Sequence, residues 1–228
     1  MNNARLHGIE ACVFDAYGTL FDVNAAVARC RDQIGPQADR LSETWRQKQL
    51  QYSWLRSLMD RYVDFWQITG QALDFAMEAV GLDDPVLRAR LMDLYETLDA
   101  YDDAAPCLER LRKAGLKTAI LSNGSKAMLA SAVESARLGP LLDAVLSVEE
   151  IGVFKPYAPV YRLVGDRLNV PAPAVCFVSS NGWDAHAAAD YGFQVAWANR
   201  SGQPPERLPG RLAAEMRGLS ELPALLGL

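Results

Sequence analysis

Asp15 lies in the segment Asp15-Ala16-Tyr17-Gly18-Thr19, directly after the apolar run Ala11-Cys12-Val13-Phe14. That run reads as a short buried strand. A side chain at the end of a parallel strand faces the crevice where open α/β sheets bind ligands. Gly18 supplies the backbone freedom for a sharp turn there. A carboxylate is ionised at neutral pH, so it can attack carbon or phosphorus without the deprotonation a serine needs. Three further polar clusters fall at successive strand ends: Ser122-Asn123-Gly124, then Lys155-Pro156, then Ser179-Ser180-Asn181-Gly182-Trp183-Asp184. With Asp15 and Thr19 they converge on one face of a sheet. Lys155 is a natural counter-charge, since an ammonium within about 4–6 Å favours an ionised carboxylate.

The elements that must position these groups change character twice along the chain. From Asn24 to about Asp99 the periodicity is helical, with no convincing strand. Asn24 suits an N-cap, Ser42 precedes a long helical segment, and Gly70 and Gly81-to-Pro85 read as interruptions. Three or four helices in a small bundle are expected. From Tyr101 helix and strand alternate. A helix begins at Pro106 and ends by Gly115, and Lys117–Leu121 is a strand. A helix over 127–136, a short strand over 144–146 and a helix over 159–168 follow. Val175–Val178 is a strand, Ala185–Ala189 lies in a helix, and Gln194–Trp197 is expected to be the last strand. Alternation of this kind implies a mostly parallel sheet covered on both faces. The first strand must join that later sheet, because it has no other ladder. The expectation is an α/β, doubly wound, Rossmann-like core from residues 1–20 and 100–228, with residues 21–99 inserted as a helical-bundle cap. Gln203-Pro204-Pro205 is read as a surface loop.

Composition narrows the class. The 228 residues are half apolar and carry a formal net charge of −5, with both signs interspersed. That balance argues against nucleic acid or an anionic membrane as a partner. No window approaches the roughly 18 apolar residues of a membrane span, and the opening Met1–His7 lacks a secretory apolar stretch. Cys12, Cys30, Cys107 and Cys176 show no close-pair spacing for zinc or redox work and read as reduced thiols. A cytoplasmic location is expected. His7 and His186 are the only histidines, and neither is placed for a Ser-His-Asp hydrolase.

In its full order of motifs the chain resembles the haloacid dehalogenase superfamily, and within it the L-2-haloacid dehalogenases. Phe14-Asp15-Ala16-Tyr17-Gly18-Thr19-Leu20-Phe21-Asp22 is similar to their opening motif, as are Trp45-Arg46-Gln47-Lys48-Gln49-Leu50 and Ser179–Asp184. The superfamily's phosphatases carry a second Asp two residues after the nucleophile to protonate a leaving alkoxide. This chain has Tyr17 there, and a halide needs no proton. Asn181 stands where the resemblance would put an acidic Mg²⁺ ligand, and Mg²⁺ prefers hard, usually carboxylate, oxygens. The resemblance therefore implies hydrolysis of short (S)-2-haloacids to (R)-2-hydroxy acids without metal or other cofactor. A Mg²⁺-dependent phosphatase is the alternative.

The resemblance also assigns roles. Asp15 attacks C2 and forms an ester, Lys155 is its counter-charge, and Asp184 positions Lys155 and helps orient water. An acid at position 184 would also suit a helix N-terminus. Arg46 and Asn123 bind the departing halide, although Arg46, Leu50 and Trp54 share a helix face that could equally be cap core. Ser122 and the N–H groups of Tyr17, Gly18 and Thr19 hold the substrate carboxylate. Thr19 steadies one Asp15 oxygen, and Ser179 and Asn181 bond the Asp15 carboxylate or the water. Tyr161 is oriented toward the lysine. Tyr17, Gln47, Leu50, Phe65 and Trp183 form the wall around the substrate. The partners implied are a 2-haloalkanoate, water and halide, and a second copy of the chain as a homodimer.

Overall fold

The computed structural model describes residues 6–228; Met1–Arg5, part of the opening segment considered above for secretion, lie outside the described residues. Six strands form one parallel sheet: β1 (Ala11–Phe14), β2 (Lys117–Ser122), β3 (Ala144–Ser147), β4 (Val175–Ser179), β5 (Gln194–Ala198) and β6 (Ala214–Met216). Their spatial order is β3-β2-β1-β4-β5-β6. β1 and β4 are buried along their whole length, because helices cover both faces of the sheet. Phe14 pairs in register with Ile120 on one side and Val178 on the other. That register brings Asp15, Ser122 and Ser179 out at the same carboxyl edge. The Asp15 N–H donates to the Val178 carbonyl at 2.9 Å, so this residue is anchored by the ladder itself.

β6 was not expected. Gln194–Ala198 is not the last strand, since Ala214–Met216 adds a parallel edge beyond it. Three residues are too few for a period-2 pattern to register.

Between β1 and the rest of the core run α1 (Ala25–Arg29), α2 (Arg31–Ile34), α3 (Ala38–Leu58), α4 (Phe65–Ala79) and α5 (Pro85–Glu96). There are five α-helices rather than three or four, two of them only a turn long. α4 and α5 start on clear chemistry. Asp64 accepts from the Gln67 N–H while the Gln67 amide reaches back to Asp64. Asp84 accepts from Val86 and Leu87 N–H with Pro85 at the first helical position. Three local readings are corrected. Asn24 precedes α1 but makes no side-chain cap bond; it accepts instead from Ser42, which lies inside α3 and not before it. Gly70 does not interrupt α4; it is buried where Arg88 and Met92 pass close by, so it serves packing.

The core helices are α6 (Ala104–Lys113), α7 (Lys126–Ser135), α8 (Ala158–Leu168), α9 (Gly182–Tyr191) and the short α10 (Leu222–Leu225). α6 starts two residues before Pro106, which its first turn tolerates because a proline there forfeits no intrahelical bond. α9 starts at Gly182, so Trp183 and Asp184 sit on its first turn, not in a loop.

Gly124, between β2 and α7, is a position of close approach. A Cβ there would lie 2.6 Å from Cε2 of the Tyr17 ring. Gly124→Ala should displace that ring and destabilise the protein by about 1–3 kcal/mol. Urea denaturation checks this; an unchanged midpoint would show that the ring yields freely.

Candidate active site

The carboxyl edge of the sheet gathers the polar groups. Asp15 follows β1, Ser122 ends β2, Ser179 ends β4, and Asp184 is buried in the first turn of α9. Lys155 reaches in from the segment before α8 and is 1% exposed. Its ammonium donates to Asp15 Oδ1 at 3.1 Å and to Asp184 Oδ2 at 2.9 Å. The Tyr161 hydroxyl on α8 donates to Asp184 Oδ1 at 2.7 Å. The second Asp15 oxygen accepts from Asn181 Nδ2 at 2.8 Å and from Thr19 Oγ1 at 3.2 Å. Three hydrogen bonds thus hold the Asp15 carboxylate and set its plane.

Burial opposes the charges of Lys155 and Asp184. It would lower the Lys155 ammonium, but the carboxylates of Asp15 and Asp184 outweigh it and hold the group above its ordinary value. Burial raises the Asp184 carboxyl; Lys155 opposes that shift and the neighbouring Asp15 charge adds to it. Burial and the adjacent Asp184 push the Tyr161 phenol well up, which keeps it a donor.

The helical insertion supplies the other side. Arg46 on α3 donates to Asn181 Oδ1 at 3.1 Å and to the Tyr17 carbonyl at 3.4 Å. Tyr17 stacks on Tyr95 of α5 with centroids 5.7 Å apart, and Phe65 tilts against it at 6.3 Å. Trp45 and Gln49 anchor α3 to Thr69 of α4, fixing the helix that carries Arg46. Trp183 meets Trp54 edge to face at 5.3 Å. An open groove lined by Trp54, Tyr62, Phe154, Tyr157 and Trp183 reaches Lys155 from the surface.

Several sequence expectations need adjustment. The Ser179 hydroxyl does not bond Asp15; it accepts from the Asn181 N–H at 3.2 Å and shapes the loop. The Gly18 and Thr19 N–H groups are spent inside their own turn, on Phe21 and Ala16 carbonyls, so neither is free to hold a substrate carboxylate. Asn123 uses its oxygen on the Lys155 N–H at 2.9 Å, which leaves its amide NH₂ to donate. Ser122 accepts from the Gly124 N–H at 3.1 Å and keeps its own proton. Leu50 is half-buried on α3, whereas Gln47 is exposed, with no hydrogen bond to the cluster among the described residues. The buried stripe of α3 runs through Leu41, Trp45, Gln49 and Ser53, and Gln47 is turned about 200° from Trp45. Tyr95 and Thr69 were missed, and Gly124 was read as part of a polar cluster but not as a position of close approach. Only Gly124 had a signal, a glycine closing a polar loop after a strand.

Among the described residues no three His, Cys, Asp or Glu side chains cluster to hold a metal ion. The charge between Asp15 and Asp184 is met by Lys155.

The fold and site define an α/β protein whose parallel sheet presents a buried carboxylate paired to a lysine, next to inserted helices. The chain belongs to the haloacid dehalogenase-like hydrolases, whose family model matches residues 9–192. It is 50% identical to the (S)-2-haloacid dehalogenase 1 of Pseudomonas sp. (strain CBS-3), over 96% of each chain. A crystal structure of a dehalogenase superposes with a TM-score of 0.95 at 47% identity, covering 97% of this chain and 99% of that one. The L-2-haloacid dehalogenase of Xanthobacter autotrophicus, with chloropropionic acid covalently bound, matches with a TM-score of 0.88 at 38% identity, over 96% and 98% of the chains.

The raised Lys155 value fixes a stability dependence. The ion pair contributes fully below the unfolded lysine value of about 10.4 and is lost as pH rises through the higher folded value. Above pH ~10 the unfolding free energy of the wild type should fall more steeply than that of Lys155→Met, by about 1.4 kcal/mol per pH unit. Urea titrations at several alkaline pH values check this; parallel limbs would contradict it.

Proposed function

We propose that this hydrolase converts short (S)-2-haloacids to (R)-2-hydroxy acids through an ester on Asp15, without a metal. Asp15 Oδ attacks C2 from the side opposite the halogen; the C–O bond forms as the carbon–halogen bond breaks, and its electron pair leaves with halide. This in-line displacement inverts C2. Water then attacks the ester carbonyl carbon and frees the hydroxy acid, with an oxygen of solvent retained on Asp15. The observation that carries the reading is the lysine-paired Asp15, held by three hydrogen bonds, with an aromatic ring at position 17. A phosphatase would need an acid there for its leaving group. The relative that carries chloropropionic acid covalently supports an ester intermediate.

Arg46 and the free NH₂ of Asn123 meet the departing halide, where fixed donors stabilise charge as it develops. Ser122 receives the substrate carboxylate. Tyr17, Leu50, Phe65 and Trp183 wall the alkyl group. Asp184, with Asn181 and Lys155, orients the water. Residues 21–99 act as a cap over a core of 1–20 and 100–228.

A cytoplasmic homodimer fits this reading. All four cysteines are free and buried, and no helix among the described residues is long and apolar enough to cross a membrane. Leu58 and Met59 at the end of α3 are 84% and 65% exposed, an apolar surface suited to a second copy.

Halide release from each enantiomer of 2-chloropropionate, in excess chelator, tests the function. The (S) enantiomer should turn over with inversion, and Asp15→Asn should lose activity by at least about 10⁴-fold. Turnover only with added Mg²⁺, or of a phosphate ester instead, would favour the phosphatase alternative.

A further inference from the structure

Outside the pocket, the loop after β5 presents an arginine that the chemistry above does not use. Asn199 builds that loop: its amide donates to the Gln203 carbonyl at 2.8 Å and to Glu215 at 2.6 Å, and its oxygen accepts from the Gln203 N–H at 2.8 Å. The next residue, Arg200, is thereby held against the two chain segments that join the helical insertion to the core. Its side chain is 19% exposed. The guanidinium grips Asp103 with both terminal nitrogens, at 3.0 and 2.8 Å. One of these nitrogens also donates to the main-chain carbonyl of Thr19 at 3.1 Å. The guanidinium carbon lies 3.9 Å from the centroid of the Tyr101 ring. Asp103 is held in turn by the Leu219 N–H at 2.8 Å.

These contacts meet at the hinge. Tyr101 N–H donates to the Leu20 carbonyl, Asp22 N–H to the Asp99 carbonyl, and Phe21 bridges Ala100 in antiparallel fashion. Thr19 is the residue on which both sides depend. It is fully buried, and its hydroxyl donates to Asp15 Oδ2 while accepting the Ser180 N–H at 2.8 Å. The turn around it is tight, since the Ala16 carbonyl accepts from Thr19, Leu20 and Phe21 together. A shift of the Thr19 peptide therefore passes directly to its hydroxyl, and from there to the nucleophile and to the loop carrying Asn181.

We propose that Arg200, clamped by Asp103, is a positioning residue that fixes the Thr19 peptide and so aims Asp15 at C2. The proposal rests on the dehalogenase reading above. A planar guanidinium can satisfy both carboxylate oxygens and still direct a donor to a carbonyl; an ammonium offers a point charge without that fork. Misplacement of a reacting group by about 1 Å can cost on the order of 10² in rate.

The test compares wild type, Arg200→Lys and Arg200→Ala in the full chain, by halide release from (S)-2-chloropropionate and by thermal midpoint. Arg200→Lys keeps the charge opposite Asp103 and should stay folded. Its kcat should fall about tenfold with KM within about twofold, the pattern of a lost transition-state alignment. Arg200→Ala should fall further, and millimolar methylguanidinium should restore part of its kcat without changing KM. Unchanged kcat per folded molecule in both variants, or a raised KM with intact kcat, would overturn the proposal alone. A wild type that releases no halide would overturn the dehalogenase reading, and the proposal with it.

Discussion

A single ammonium group, buried between two carboxylates, organises this protein. Lys155 is nearly inaccessible, and so are Asp15 and Asp184 on either side of it. Burying three charges costs several kcal/mol per ion before pairing offsets it, and removing one partner of such a set typically costs about 3–5 kcal/mol. The arrangement survives because each charge comes from a rigid element: the end of β1, the segment leading into α8, and the first turn of α9. Tyr161 and Asn181 satisfy the remaining oxygens. What results is a carboxylate at the end of β1 whose orientation is fixed in advance by Lys155, Asn181 and Thr19.

The division of labour between sheet and insertion follows. The sheet edge fixes the Asp15 carboxylate; the helices bring the Arg46 guanidinium to the same place. Arg46 touches the nucleophile loop itself, through the Tyr17 carbonyl and Asn181. The loop around Asp15 and the insertion are thus joined directly by hydrogen bonds. Tyr17 sits at the same junction, stacked on Tyr95 from the insertion and passing close over Gly124 from the core. Position 17 is thus a wedge of aromatic packing between the insertion and the core.

Arg200 extends this logic to the hinge. The segments joining insertion and core run past each other at Phe21 and Ala100, one residue pair from the tight turn that holds Thr19. Any change in the relation of the two parts would reach the nucleophile through that turn. An arginine that ties Asp103, Tyr101 and Thr19 together makes the turn insensitive to such change.

Much of this was legible in the chain itself. Apolar runs ending in polar clusters located the strands and the carboxyl edge, because a parallel strand buried on both faces must be apolar and must leave its chemistry at its end. That reading put Asp15, Ser122, Asn181 and Asp184 at one edge, as the structure does, whereas Lys155 arrives from beyond the end of β3. Short elements escaped: β6 and the single-turn helices are below the length at which a period repeats. Only the tertiary structure could show that Ser179 serves its own loop, that Gln47 faces away, and that Gly70 is a packing site. It alone could join Arg200 to Thr19, 181 residues apart in sequence. Side-chain type and local spacing announce what chemistry is possible, whereas a hydrogen bond's partner depends on where distant backbone arrives, and no local pattern encodes that.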